Sequence, residues 1–242
     1  MRNYGTLARL YIDAPLVENA CVDLTQAQVH FLGTVMRKSE GESVRVFNGG
    51  DGEYLANISH LSKRKATLEV SERLREPKAC PDIWLLFAPL KKARNNFIIE
   101  KATELGVAKF LPILTERTTS KIRMDKLEAH IIEAAEQTER LDIPNFAAPE
   151  KLETLLANWD ETRTLIFADE EGDAQTAAEI LSRVKTPCAI LIGPEGGFTA
   201  KERAYLRTQT YVVPMSLGPR ILRADTAALA TLSLWQALSG DW

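Results

Sequence analysis

The chain is poor in the residues that build metal and redox centres. Its three cysteines, Cys21, Cys80 and Cys188, and its three histidines, His30, His60 and His130, are scattered, and no CxxC pair occurs. That pattern argues for free thiols in a reducing cytosol, and against a zinc site or a disulfide framework. No apolar run approaches the roughly 20 residues needed to cross a bilayer. The opening stretch MRNYGTLARLYIDAPL has no apolar segment of the secretory type. The expectation is therefore a cytoplasmic protein with no metal and no membrane partner. Two phosphate-binding signatures are also missing: there is no GxxxxGK followed by Ser or Thr, and no GxGxxG.

What is present is ordinary in amount and uneven in placement. With 242 residues, 45% apolar and 26% charged, the chain can bury a full core as one large domain or two modest ones. The net charge of −3 does not by itself suggest a polyanion partner, but its distribution does. Residues 91–126 carry nine Lys/Arg against four acids, whereas residues 127–185 carry fourteen acids against five bases. A basic zone on a mildly acidic protein is the footprint of a nucleic acid, although a merely solvated basic surface looks the same.

Two parts follow one another along the chain. Residues 1–75 read as short β-prone runs, ARLYI, SVRVFNG, EYLANISHL and KRKATLEVSERLR, with a hairpin signal at NGGDGEY. One helical stretch, 24–37, interrupts them, with Thr25 and Gln28 placed as a capping box. The segment EPKACPD, 76–82, with two prolines, reads as a linker. Across 83–242 buried strands (IWLLFAPL, KFLPIL, TLIFAD, CAILIG, TYVVPM) alternate with helices, which predicts an α/β domain on a largely parallel sheet. In NNFIIEKATELG the spacing places Phe97, Ile98, Ala102 and Leu105 on one helix face.

The stretch AILIGPEGGFTAKE, 189–202, joins a buried strand to a glycine turn and a helix start. Thr199 and Glu202 fit a capping box, so the helix begins after Phe198. In the middle of the turn stands Glu195, whose carboxylate would repel phosphate. A neutral or cationic ligand, approached closely by glycine backbone, is the better match; a tight turn needing positive φ at Gly196 or Gly197 is the purely structural one. A second Gly-Pro turn follows the strand 210–215, in SLGPRILRADTAALATLSLWQAL. There Ile221 and Leu222 lie between Arg220 and Arg223, ahead of a helix capped by Asp225 or Thr226. Two such turns at the carboxyl edge of one parallel sheet can form a flat apolar slot for an adenine ring, with arginines at its mouth.

Taken together, LIGPEGGFTAKE and SLGPRILRADTAALA resemble the cofactor signatures of the SPOUT class of RNA methyltransferases, and more narrowly those of the RsmE family. The likeness extends to VHFLGTVMRKSEGESVRVFNGGDGEY, similar to that family's PUA-like RNA-binding domain, and to LKKARNNFIIEKATELGVAKFLPILTERT and EAAEQTERLDIP. Two departures stand out: Glu139 where the family usually has glycine, and Ala224-Asp225 where it usually has Thr-Glu. The resemblance implies an N-terminal PUA-like small β-barrel over 1–75 and a C-terminal SPOUT domain over 83–242 with a trefoil knot. It further implies a homodimer that uses S-adenosylmethionine to methylate N3 of a uridine in 16S ribosomal RNA, within a small-subunit particle. Carried over by motif, the cofactor slot comprises Leu191, Gly193, Pro194, Glu195, Gly196, Leu217, Gly218, Ile221 and Leu222, with Phe167 and Ala168 as a third wall.

Uracil N3 holds a proton, so its methylation calls for a base near N3 or cations near O2 and O4. Arg223 is the candidate for the cationic role, and Glu195 for proton removal or for fixing the cofactor's ammonium group. A helix-start salt bridge from Arg223 to Asp225 or Glu195 is the structural alternative. The candidate phosphate contacts are Lys91, Lys92, Arg94, Lys101, Arg117 and Arg140, with Arg37 and Lys38 from the N-terminal domain. Rival readings are a non-catalytic RNA-binding module, a nucleotide-binding enzyme, and a SPOUT enzyme acting on transfer RNA or on a ribose 2′-hydroxyl.

Overall fold

A computed structural model describes residues 4–169 and 174–242. The chain divides into two compact units. The first comprises the residues up to Ala79 together with Ala135–Ile143, and the second Cys80–Ala134 with Pro144–Trp242. One boundary thus falls inside the segment expected as linker, and nine residues within 83–242, Ala135–Ile143, are grouped with the N-terminal unit.

In the first unit, strands β1 (Arg9–Tyr11), β2 (Cys21–Asp23), β3 (Ser43–Asn48), β4 (Gly52–Leu61) and β5 (Ala66–Arg75) form one sheet in the order β1-β3-β4-β5-β2. Only β1 and β3 run parallel. The β3–β4 hairpin is turned by Asn48, whose side-chain oxygen accepts from the Gly50 and Asp51 amides at 3.0 and 2.7 Å. Helix α1 (Gln26–His30) carries the expected Thr25–Gln28 capping box, then widens into a π turn over Phe31–Val35. Leu10, Leu32, Val44, Ala56, Ile58 and Leu68 are among the residues that fill the core.

Several contacts join residues 135–143 to this unit, the most buried of them made by the cation Arg9. The Arg9 guanidinium donates to the Ala135 carbonyl at 2.6 Å and the Arg140 carbonyl at 2.5 Å, and to Glu53 Oε1 at 2.5 Å, while lying 3.6 Å over the Phe47 ring. Glu53 also receives Arg75 at 2.7 and 2.9 Å. Burial alone pushes the Glu53 carboxyl up, but hydrogen bonds from Arg75 and Arg9 outweigh it and hold the group below its ordinary value. Glu139 has φ of 62°. That left-handed conformation costs an L-residue about 1–2 kcal/mol. Here Arg45 grips Glu139 with two bonds of 2.7 Å, an offset glycine could not provide.

The second unit is built on parallel pairing throughout. Its strands are β6 (Ile83–Phe87), β7 (Lys109–Leu114), β8 (Asn145–Phe146), β9 (Glu150–Lys151), β10 (Thr164–Ala168), β11 (Gln175–Thr176), β12 (Cys188–Ile192) and β13 (Val212–Ser216). They run in the order β11-β13-β10-β12-β6-β7-β8, with β9 also on β7. All five residues of β12 are buried, as expected for a strand covered on both faces. The connecting helices are α2 (Lys92–Glu104), α3 (Met124–Gln137, its last three residues grouped with the first unit), α4 (Leu152–Ala157), α5 (Ala177–Leu181), α6 (Ala200–Thr208) and α7 (Ala224–Ser239). Helix α2 is rotated from the expected face: Asn95, Ile98, Ile99, Ala102 and Thr103 are buried, whereas Phe97 is 43% exposed. Asn95 tolerates burial because its amide bonds both the N–H and the carbonyl of Leu90, at 2.8 and 2.7 Å.

Replacing Arg9 with methionine should destabilise the chain on the order of 3 kcal/mol in urea unfolding, since a buried carboxylate and two carbonyls lose their donor. The lowered Glu53 and Glu139 carboxyls give a pH signature. Their contribution is complete above the ordinary carboxylate range, about pH 4–5, and is lost as pH falls through their depressed native values. Acid should therefore lower the wild-type midpoint and narrow its lead over Arg9→Met.

Candidate functional site

The position of β10 decides where a ligand can sit. It pairs with β12 on one side (Phe167 opposite Leu191) and with β13 on the other (Phe167 opposite Pro214, Ala168 opposite Met215). Three parallel strands therefore end side by side, and the loops leaving them converge at one carboxyl edge. A cavity of about 710 Å³ opens there. Of the eleven residues expected in the slot, nine line it: Phe167, Ala168, Gly193, Pro194, Glu195, Leu217, Gly218, Ile221 and Leu222. Leu191 is wholly buried in the core beneath, and Gly196 lies outside the wall, its carbonyl accepting from Arg117 at 2.6 Å.

The first wall is the glycine turn. Gly197 takes the positive φ, 68°, and its N–H bonds the Pro194 carbonyl at 2.8 Å. Gly193 is required for another reason: a Cβ there would come within 2.6 Å of the Phe198 ring. That ring is buried and stands edge-on to Phe167, with centroids 5.2 Å apart, so it has little room to yield. Thr199 caps α6 in the expected box with Glu202. The other oxygen of Glu202 accepts the Glu116 amide at 2.8 Å, which ties residues 115–118 to the turn.

The second wall is the loop 217–223. Helix α7 begins earlier than expected, with Arg223 at its N-cap, two residues before Asp225 and three before Thr226, and Asp225 sits in its first turn. There its negative charge complements the helix dipole. Arg223 faces the cavity, and its guanidinium makes no ion pair with Glu195 or Asp225 among the described residues.

A single cation joins the two walls. Arg94, from the first turn of α2, lines the cavity, forms a short ion pair with Glu195 and stands 3.8 Å from Asp225. This changes one inference from the sequence. Glu195 does not present a bare carboxylate, so its charge alone does not exclude phosphate; the absence of the two phosphate-loop signatures carries that argument. Deeper in, Asp169 is buried beside the cavity and takes Arg203 at 3.1 Å and Arg207 at 2.7 Å. Asp169, Arg203 and Phe198 were not anticipated, although an acid closing the buried run TLIFA, at a strand's carboxyl end, was a usable signal.

The expected phosphate contacts separate into distinct fates. Arg94 and Arg117 brace the cavity turns, as described above. Arg140 is buried and its guanidinium is engaged by Asp142, with Nε on Oδ1 at 2.8 Å, which contradicts an exposed phosphate contact. Lys101 is held by Glu100 and Glu104 at 2.8 and 2.7 Å, and Lys38 by Glu42 at 2.9 Å. Arg37, Lys91 and Lys92 are exposed and form no ion pair among the described residues. Cys188 is no nucleophile: burial pushes its thiol up to about 12. No group of His, Cys, Asp and Glu suited to a metal occurs among the described residues.

Fold and cavity belong to a recognised class. Residues 76–236 match the family model of an RNA methyltransferase domain, and residues 24–71 that of an RNA methyltransferase PUA domain. Ribosomal RNA small subunit methyltransferase E of Rickettsia conorii is 32% identical over 229 residues, 93% of each chain. The protein of that name from Synechocystis is 34% identical, covering 95% of this chain and 77% of the relative. A Legionella pneumophila methyltransferase, solved with its bound cofactor SAM, superposes with a TM-score of 0.89 at 31% identity over 98% of this chain and 99% of that one. Ribosomal RNA small subunit methyltransferase E of Neisseria gonorrhoeae, bound to S-adenosyl methionine, gives 0.86 at 26% identity with the same coverage. The chain belongs to the ribosomal RNA small subunit methyltransferase E family.

Two substitutions test the cavity. Gly193→Ala should displace the Phe198 ring and weaken binding of S-adenosylmethionine at least tenfold by calorimetry, with helix content unchanged. Arg94→Ala should also weaken it, whereas a phosphate-only role for Arg94 would leave that affinity intact and lower RNA binding alone.

Proposed function

We propose that the chain transfers a methyl group from S-adenosylmethionine to N3 of a uridine in 16S ribosomal RNA. The observation that carries this reading is the convergence of both Gly-Pro loops on one cavity, in a chain of this family. The residues present fit the cofactor. Leu217, Ile221 and Leu222 offer apolar surface to a ring, the glycine turn offers peptide groups, and Arg94, Glu195, Asp169 and Arg203 offer both signs of charge to a zwitterionic amino acid. When bound, S-adenosylmethionine supplies an electrophilic methyl carbon, and displacement at that carbon is in-line.

The protein's own residues then have two tasks. Arg223 is at the cavity wall and unpaired with the nearby acids, so its guanidinium is available to the charge that develops on the uracil oxygens. Glu195, paired with Arg94 at the cavity wall, is the candidate for taking the N3 proton or for fixing the cofactor's ammonium group. The same reading includes a knotted second unit, action in the cytoplasm as a homodimer, and a small-subunit particle as substrate.

Mapping methylated nucleotides in ribosomal RNA from cells with and without the gene tests the reading. The expected result is one N3-methyluridine in 16S RNA that vanishes with the gene. A lost 2′-O-methyl or a transfer-RNA mark would move the chain to another substrate. Arg223→Ala should lower turnover about 10²-fold, as for loss of a donor to a developing oxyanion, while cofactor affinity stays within about twofold. A collapse of cofactor binding would make this arginine architectural.

A further inference from the structure

The charges around the cavity do not balance, and the surplus is positive. Its ionisable lining consists of Arg94, Asp169, Glu195, Arg203, Arg220 and Arg223, with no histidine, lysine, cysteine or tyrosine among the described residues. Both acids are matched by arginines. The wholly buried Asp169 takes Arg203 at 3.1 Å on one oxygen and Arg207 at 2.7 Å on the other. Glu195 pairs with Arg94, which also stands 3.8 Å from Asp225, and Asp225 accepts the Thr226 amide at 3.0 Å. Next to Glu195, Arg117 donates to the Gly196 carbonyl at 2.6 Å.

Two cations are left over. Arg220 and Arg223 line the cavity from one loop, and neither makes an ion pair or a side-chain hydrogen bond among the described residues. Ile221, which lies between them, is 83% exposed, and Leu222 is half-buried. Apolar surface beside a guanidinium keeps water away from it and lets its charge act over a longer reach.

Uracil makes use of two such cations. When its N3–H bond breaks, the electron pair kept on N3 spreads onto O2 and O4, so the anion carries charge on both flanking oxygens. One guanidinium can meet one of these oxygens; a pair can meet both.

We propose that Arg220 is a second catalytic cation. With Arg223 it stabilises the N3 anion, one guanidinium toward each uracil oxygen, and the N3 proton passes to water rather than to a protein carboxylate. The electron pair on N3 then forms the bond to the methyl carbon, while the pair of the broken C–S bond stays on sulfur. Glu195 keeps the other role open to it, that of holding the cofactor's ammonium group. This inference rests on the reading that the chain methylates uridine N3.

The test is single-turnover methylation of small-subunit particles from cells lacking the gene, by the full chain at saturating S-adenosylmethionine. The wild-type rate should rise about tenfold per pH unit from about pH 6 to pH 8, because the ionised base is the reactive form; a carboxylate acceptor gives a rate already level there. Arg220→Gln should slow the reaction about 10²-fold, with thermal unfolding and calorimetric affinity for S-adenosylmethionine at wild-type values, and Arg220→Lys should recover part of the rate. In particles reconstituted with 5-fluorouridine RNA, whose N3 is the stronger acid, the Arg220→Gln defect should shrink about threefold or more. A level pH profile, or a defect equal on both RNAs, overturns this proposal and leaves methylation at N3 standing. Particles that gain no N3-methyluridine from the wild-type chain overturn both this proposal and the reading beneath it.

Discussion

The candidate site depends on one pairing: β10 lies between β12 and β13, parallel to both. Strands distant in sequence therefore end together, and two Gly-Pro loops that could have been unrelated turns become facing walls. Gly193 lets the Phe198 ring approach the backbone, and Phe198 in turn meets Phe167 on the middle strand. The apolar half of the cavity is thus continuous with the core. A buried parallel sheet is stiff, and that stiffness is what allows a ligand pocket to be built from loops.

Charge is handled differently from what its distribution along the chain implies. The stretch 91–126 is basic on paper, yet two of its three arginines reach acids or carbonyls far away in sequence, and the third, Arg123, pairs with Asp125. Arg94 meets Glu195, and Arg117 donates to the Gly196 carbonyl. In the first unit Arg9, Arg45 and Arg75 surround Glu53 and Glu139. Guanidinium suits this work because it offers several fixed donors to planar acceptors. The cations left for a polyanion are fewer than the count suggests, with Lys91, Lys92, Lys121 and Lys126 among those of 91–126 that form no ion pair among the described residues.

What the sequence made legible was local. The Thr25 and Thr199 capping boxes, the buried strands and the glycine turn all depend on residues within a few positions of one another, and each is found where expected. The face of α2 was misjudged because a helix with apolar residues on several sides does not say which side the sheet covers; a hydrogen-bonded Asn95 took the place allotted to Phe97. Residues 135–143 could not be assigned to the N-terminal unit, since the Arg9 contact that holds them spans 126 positions. Arg140 failed as a phosphate contact because its partner, Asp142, captures it as the chain turns. In the slot, side chains facing the cavity were identified through the two motifs, whereas Asp169 and Arg203 lie outside them.

The central claim is that the two loops and the end of β10 enclose a methyl-donor site. A structure of the chain crystallised with S-adenosylmethionine tests it most directly. The cofactor is expected between residues 193–197 and 217–222, its ring against Leu222 and its charged end toward Arg94 and Glu195. Density for the cofactor anywhere else on the chain, with this cavity filled only by solvent, would contradict it.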